Sequence, residues 1–163
     1  MEPTYTEITA KTVVGLGANF IPILSEQGNA GEVIGPLWDR FMNRIGEVPG
    51  AVAGTTYGVM TLILDKNSMI HQHELRYIAG VEVAPGSAIP DGMEQVEIHA
   101  GRYAVFTHRG LILNMPETVR FIDSHWVPRS GKKIRKAPHF EVYDSRFVHD
   151  SAESELDIYI PLV

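Results

Sequence analysis

The sequence predicts an α+β domain made of two βαββ units, because three patterns occur twice in the same order along the chain. Glu7-Ile8-Thr9-Ala10 recurs as Glu97-Ile98-His99-Ala100, and an alternating apolar segment follows each copy. Next comes a segment with apolar residues at helical spacing, and then two further strand-like segments. Such a duplication predicts a mostly antiparallel sheet with helices packed on it and a ligand groove where the copies meet.

The first unit contains one amphipathic helix followed by two strands. Pro36 suits the first turn of this helix, and Gly46 suits its end. Residues 54–64 and 75–83 read as the two strands. The apolar residues that recur on one helix face are Ile34, Leu37, Trp38, Phe41, Met42 and Ile45.

The second unit repeats this arrangement. Pro116 is expected at the start of its helix and Pro128 at its end, because proline is tolerated in a first turn but not in a helix interior. Residues 140–147 and 155–162 are the predicted strands. The helix face consists of Thr118, Phe121, Ile122, His125 and Trp126.

Length and composition indicate one domain over residues 1–163. The first repeat is expected at about 3–84 and the second at about 93–163, with a proline- and glycine-rich joint at about 85–92. A formal charge of -6 argues against direct nucleic-acid binding, and the lack of cysteine excludes disulfides and thiolate metal sites. The start of the chain does not resemble a signal peptide, and the longest apolar stretch, 58–64, is too short to cross a membrane. We therefore expect a cytoplasmic protein.

One carboxylate in the last quarter of the chain is the strongest candidate for function. In the strand-like run Phe140-Glu141-Val142-Tyr143-Asp144, alternation places Glu141 and Tyr143 on one face. Burying an unpaired carboxylate costs several kcal/mol, so Glu141 needs an internal partner, a proton or a cationic ligand. Arg146 and Arg102 are the candidate internal partners.

The two units differ at this position. An alignment through Tyr57 and Tyr143 puts Thr55 where the second unit has Glu141, so one copy has gained a charge. If Glu141 faces the groove, aromatic side chains are its expected companions, since they attract apolar cations. The candidates are Tyr143, Trp126, Tyr57, Tyr77, Tyr103, Phe106 and Trp38.

Four segments in the second half resemble a known family, the GyrI-like domain, which is also the effector-binding domain of AraC- and MerR-type regulators. The segments are AGRYAVFTHRG at 100–110, WVPRSG at 126–131, FEVYDSRF at 140–147 and LDIYIPL at 156–162. The resemblance extends more loosely over the first half. It implies two βαββ units related by pseudo-twofold symmetry, with a ligand channel between them. It also implies a glutamate, matched by Glu141, that faces lipophilic cations in an aromatic pocket.

Regulators of this family carry a separate DNA-binding segment, but the first repeat begins almost at Met1, so we expect a stand-alone member. No cofactor is expected. Three functions remain open at this stage. The first is a binding module for amphipathic, cationic, aromatic or lipophilic compounds. The second is a hydrolase of strained-ring toxins that uses Glu141 with Tyr143. The third is a protein-interaction role such as gyrase modulation; a partner regulator and a homodimer are also open.

Three other features have weaker functional interpretations. His71-Gln72-His73 could contribute two metal ligands, but no third ligand accompanies them, so exposed histidines without a metal are expected. The basic run from Lys132 to Lys136 is expected to stay in solvent. The apolar loop Leu111-Ile112-Leu113 reads as a lid, a dimer contact or core.

Overall fold

Eight strands form one antiparallel sheet in the computed structural model of the chain, which describes residues 1–26, 28–64 and 70–163. The order across the sheet is β1-β6-β8-β7-β3-β4-β2-β5. The strands are β1 (Thr4–Ile8), β2 (Lys11–Phe20), β3 (Thr56–Leu64), β4 (Ile70–Val83), β5 (Glu94–Ile98), β6 (Gly101–Arg109), β7 (His139–Tyr143) and β8 (Glu155–Pro161).

The strand order confirms the duplicated architecture. β3 and β7 are equivalent strands and lie side by side at the centre, and the order on one side of this pair mirrors the order on the other. Each unit has one strand more than the sequence predicted. The first strand of each unit pairs with the second strand of the other unit, β1 with β6 and β5 with β2. Each unit therefore supplies the edge strand on the other unit's side of the sheet.

The helix of the first unit, α1 (Ala30–Arg44), begins earlier than predicted and continues into a short 3₁₀ turn, Ile45–Glu47. Pro36 therefore lies inside α1, and its assignment to the first turn was wrong. The first turns of α1 are largely exposed, so they lack the apolar spacing that marks the rest of the helix. Exposure also explains why Pro36 is tolerated, since water can bind the carbonyl that loses its amide partner.

The helix of the second unit, α2 (Met115–Phe121), has Pro116 in its first turn, as predicted. Pro128 does not end the helical segment, contrary to expectation. A π-helical segment, Ile122–Trp126, follows α2, and one more α-helical turn, Val127–Arg129, follows that. The amide of Val127 donates to the carbonyl of Ile122, and this wider turn accommodates a proline that would break a regular α-helix.

The core lies on both faces of the sheet. One cluster packs beneath α1 around Leu37 and Phe41, and a second packs beneath α2 around Ile122 and Trp126. A third cluster fills the opposite face of the sheet. On the helical face, neither cluster covers the central strands β3 and β7, and a gap remains over them between the helices. No helix in the described part of the chain is long and apolar enough to cross a membrane.

Candidate functional site

A cavity of about 1130 Å³ lies between the two helical segments, over the central strands. Alternate residues of β3 and β7, including Met60 and Glu141, form its floor, and Trp38 of α1 and Ile122 of the second helical segment contribute walls. Most of the lining is apolar. Outside the central strands, four charged side chains also line the cavity: Asp39, Asp123, Arg135 and Lys136. The cavity matches the groove that the repeat pattern predicted between the two units.

Glu141 is the charged group in the floor, and only 6% of it is exposed. Two tyrosine hydroxyls donate to the same carboxylate oxygen: Tyr77 Oη lies 2.7 Å from Oε2, and Tyr143 Oη lies 2.8 Å from it. Within the described residues, Oε1 accepts no hydrogen bond. This second oxygen is left for the cavity.

Trp38 extends this hydrogen-bonded group into the cavity wall. Its indole Nε1 donates to Tyr77 Oη over 3.0 Å, and its ring centroid lies 5.0 Å from that of Tyr143. The tryptophan and the two tyrosines therefore hold one another and Glu141 in place. Trp38 and Tyr143 also present aromatic surface to the cavity, since both line it.

Burial dominates the electrostatics of this group. It raises the pKa of Glu141, and the hydrogen bonds from Tyr77 and Tyr143 oppose this shift only in part. Burial and the neighbouring carboxylate hold the pKa of both tyrosines well above the ordinary range, so the hydroxyls stay protonated and remain donors. Burial also lowers the pKa of His139, the next residue along β7 on the cavity face.

Glu141 has no cationic partner among the described residues. Arg146 instead binds the carboxylates of Asp144 and Asp157, at 2.8 and 2.6 Å. Arg102 lies over the ring of Tyr5, with 5.5 Å between its Cζ and the ring centroid. Both candidate internal partners are thus engaged elsewhere.

The eight aromatic and acidic candidates from the sequence separate into three groups. Glu141, Tyr143 and Trp38 line the cavity. Tyr77 is fully buried and donates a hydrogen bond to Glu141 from the far side of β3. The remaining four do not line it. Phe106 and Trp126 belong to the core beneath α2, with ring centroids 5.0 Å apart, whereas Tyr57 and Tyr103 pack on the opposite face of the sheet.

The alignment of Tyr57 with Tyr143 was wrong. In the ladder between β3 and β7, Gly58 faces Glu141, and this pair is the middle one of the five. Tyr57 pairs with Val142 and packs with the cluster on the opposite face of the sheet from Tyr143. Gly58, which the sequence analysis did not single out, therefore occupies the position beside Glu141; a glycine inside a strand pattern was the available signal.

The basic run does not stay wholly in solvent. Arg135 donates to the carbonyls of Leu162 and Ala100, at 3.2 and 3.0 Å, and lies over the ring of Tyr103. It thereby ties the loop before β7 to the sheet. Lys132, Lys133 and Lys136 are exposed. Arg135 and Lys136 nevertheless line the cavity, so the expectation that the run stays in solvent was wrong for these two residues.

The two weaker predictions have different outcomes. The side chains of His71, Gln72 and His73 lie outside the described residues, and the described part of the chain contains no group of three metal-ligating side chains. In the apolar loop, Ile112 packs against the core beneath α2, whereas Leu113 is 80% exposed, and both line the cavity. The loop is therefore part core and part cavity rim.

Comparisons with known proteins agree with this geometry. A family model described as the GyrI-like small molecule binding domain matches residues 1–163. Among curated proteins, the transcriptional regulator BrlR of Pseudomonas aeruginosa is 34% identical over 134 residues, which are 81% of this chain and 47% of BrlR. The probable transcriptional regulator YgiV of Escherichia coli K12 is 40% identical over 79 residues, 45% of this chain and 49% of YgiV. The chain thus spans about half the length of these relatives.

A solved structure shares the fold over the whole chain. SAV2435, determined bound to tetraphenylphosphonium, matches with a TM-score of 0.74 and 16% identity, and the match covers 100% of this chain and 94% of SAV2435.

Proposed function

Because the chain belongs to the GyrI-like small-molecule-binding domain family, we propose that its cavity binds lipophilic, aromatic cations through Glu141, as an effector-sensing or sequestering module. The observation that carries this proposal is a buried carboxylate with two tyrosine donors and no cationic partner in the described structure. A ligand that brings a positive charge supplies what the fold leaves out.

The cavity wall supports the same ligand class. Trp38 and Tyr143 offer two aromatic rings beside the carboxylate, and cation–π contact in a desolvated site contributes on the order of 1 to 2 kcal/mol. Burying the apolar parts of the ligand adds to this. Ordering and desolvation costs offset much of the gain, so we expect roughly micromolar affinity, about -8 kcal/mol.

The relatives extend the proposal to signalling. BrlR and YgiV are named as transcriptional regulators, and SAV2435 was solved with a lipophilic cation. Effector sensing is the role that this combination favours for the present chain. We propose that ligand occupancy is read by a regulator, either linked to this domain or bound to it.

The test uses two ligands of the same shape and opposite charge. Tetraphenylphosphonium at about 100 times its Kd should stabilise the folded protein by about 2.7 kcal/mol. The melting temperature should then rise by about 5–10 °C for a domain of this size. Tetraphenylborate should give a far smaller shift, because it would place an anion against Glu141.

Two variants separate the charge in the floor from charge at the rim. Glu141→Gln keeps the shape of the side chain and should abolish the preference for the cation. Asp39→Asn changes the net charge equally at an exposed residue of the same cavity and should leave the preference intact. Equal stabilisation by both ligands, or unchanged cation binding in Glu141→Gln, would overturn the proposal.

A further inference from the structure

Tyr77 reaches Glu141 across an intervening strand. Tyr77 lies on β4, Glu141 lies on β7, and β3 runs between them. Adjacent strands are about 4.8 Å apart, so the two side chains must bridge about 10 Å over the surface of β3. Their hydrogen bond of 2.7 Å is possible only if nothing projects from β3 at the crossing point.

Gly58 is the residue at the crossing point. A Cβ atom built on it would overlap Tyr77 Oη, would lie 2.6 Å from Tyr77 Cζ and would lie 2.8 Å from Glu141 Oε2. Contacts this short do not occur between a real Cβ and its neighbours. Tyr77 is fully buried and its hydroxyl is held by Trp38, so it cannot simply swing aside.

We infer that Gly58 is a positioning residue for the binding site: the lack of a side chain lets Tyr77 of the first unit reach Glu141 of the second unit across β3. Both tyrosine donors then bind Oε2, and Oε1 is left for the ligand. This inference rests on the proposed cation-binding function for its biological meaning, but its geometric content can be tested without any ligand.

The position of Gly58 also explains why the molecule has one charged site rather than two. Gly58 and Glu141 form the middle pair of the ladder between the equivalent strands β3 and β7, so they lie beside the pseudo-twofold axis. Each is the counterpart of the other in the two units. A second glutamate at this point would place two carboxylates together and would exclude Tyr77, so the asymmetry between the units is required by space as well as by charge.

The test compares Gly58→Ala with Tyr77→Phe. Both changes should remove the hydrogen bond from Tyr77 to Glu141 and so raise the pKa of Glu141 in the ligand-free protein, measured by carboxyl ¹³C NMR. Both should lower the affinity for tetraphenylphosphonium near neutral pH, by at most about tenfold for each unit by which the pKa of Glu141 rises, because the cation must then bind in competition with a proton. Gly58→Ala should shift the pKa of Glu141 much less in a Tyr77→Phe background than in the wild type, because the hydrogen bond that it would break is already absent there.

A matched control is a second strand glycine whose Cβ would meet only flexible side chains. In Gly17→Ala on β2, the new methyl would contact the ends of Glu94 and Arg76, far from the cavity floor in the strand order. It should leave both the Glu141 titration and the cation affinity unchanged. An unaltered titration in Gly58→Ala, or additive effects in the double variant, would overturn the inference.

Folding failure would not leave the question open. If Gly58→Ala does not fold, adding both Tyr77→Leu and Glu141→Ala should restore folding, because the atoms nearest to a Cβ at position 58 belong to these two side chains. Lack of restoration would mean that the contact between Tyr77 and Glu141 is not what excludes a side chain at position 58, and would overturn the inference. If the wild type binds no cation but Gly58→Ala still shifts the Glu141 titration, the proposed function fails while the role of Gly58 stands.

Discussion

Burial of the Glu141 carboxylate should lower the stability of the ligand-free protein. Such a cost is typical of a residue that serves binding rather than folding. Its carboxylate is buried with no cationic partner among the residues that the structure describes, and two neutral hydroxyls replace only part of the water that it loses on folding. The pKa of Glu141 is raised in the folded state, which means that the folded protein favours the protonated form. Stability linked to this group is present at low pH and is lost as the pH rises through the raised pKa.

Glu141→Gln should therefore be more stable than the wild type at neutral pH. The amide can still accept from both tyrosines, but it carries no charge to bury. We expect an increase of about 1–2 kcal/mol in the free energy of unfolding. The difference should shrink as the pH is lowered, since the wild-type carboxyl then becomes neutral. Urea unfolding at several pH values measures both effects.

A surface carboxylate provides the control for this prediction. Glu47 is exposed and paired with Arg44, and Glu47→Gln removes the same charge from the molecule. It should change stability little, because exposed ion pairs contribute little. A destabilised Glu141→Gln at neutral pH would show that the carboxylate is better satisfied than the geometry indicates.

The sequence alone predicted Glu141 as the charged residue of the site but did not predict which aromatic side chains surround it. Glu141 and Tyr143 lie on one strand, so simple alternation placed them on a common face. Tyr57 and Tyr103 lie on other strands, and no pattern within a strand sets its register against β7. Both pack on the opposite face of the sheet. Tyr77 and Trp38 were found because they are aromatic, although their hydrogen bonds to the site depend on contacts far apart in the chain.

Among the strands, β2 and β4 approach each other unusually closely where Gly15 pairs with Gly80. A Cβ on Gly15 would overlap the carbonyl oxygen of Ala79, and a Cβ on Gly80 would lie 2.7 Å from that of Val14. Backbone atoms cannot move aside as a side-chain tip can. The paired glycines therefore fix how closely the strands under α1 pack.

Gly80→Ala should destabilise the protein by about 2 kcal/mol or more, through displaced backbone and strained packing. Gly31→Ala in the first turn of α1 is the comparison, because a Cβ there meets nothing within 4 Å and no proline follows it. That change should stabilise by up to about 1 kcal/mol. Thermal unfolding of both variants measures the two opposite effects, and a neutral Gly80→Ala would contradict the steric account.

The sequence did not predict that β1 and β2, or β5 and β6, are separate strands, because the breaks between them are short and lack turn residues. β1 and β2 are divided only by Thr9-Ala10, and β5 and β6 only by His99-Ala100. Neither break contains the glycine or proline that usually marks a turn. The two strands on either side pair with different neighbours, in different units, and such long-range pairing leaves no local signal. The helices and remaining strands were predictable because their apolar spacing is local.

For the molecule as a whole, the duplicated fold forms the cavity, and the difference between the two units places one carboxylate, Glu141, in its floor. Two helical segments cover equivalent halves of one sheet face, and the gap between them lies over the strands next to the pseudo-twofold axis. A ligand there contacts both units at once. The fold-level prediction succeeded because repetition is visible in the sequence, whereas the single charge beside the axis required the register of β3 against β7.

Cation binding should release protons, since a bound positive charge lowers the raised pKa of Glu141. The affinity for tetraphenylphosphonium should rise as the pH increases through that pKa and should then level off. Calorimetry in two buffers with different ionisation enthalpies should show a release of less than about one proton per ligand, largest near the pKa of Glu141 in the empty site.

The other ionisable groups that line the cavity must be separated from Glu141 in this measurement. They are Asp39, Asp123, Arg135, Lys136, His139, Tyr143 and His149. His139 is the nearest along β7, and its protonation at acid pH would also oppose a cation. His139→Gln should therefore keep the proton release, whereas Glu141→Gln should abolish it. Release that persists in Glu141→Gln and disappears in His139→Gln would assign the proton linkage to the histidine and exclude Glu141 as its source.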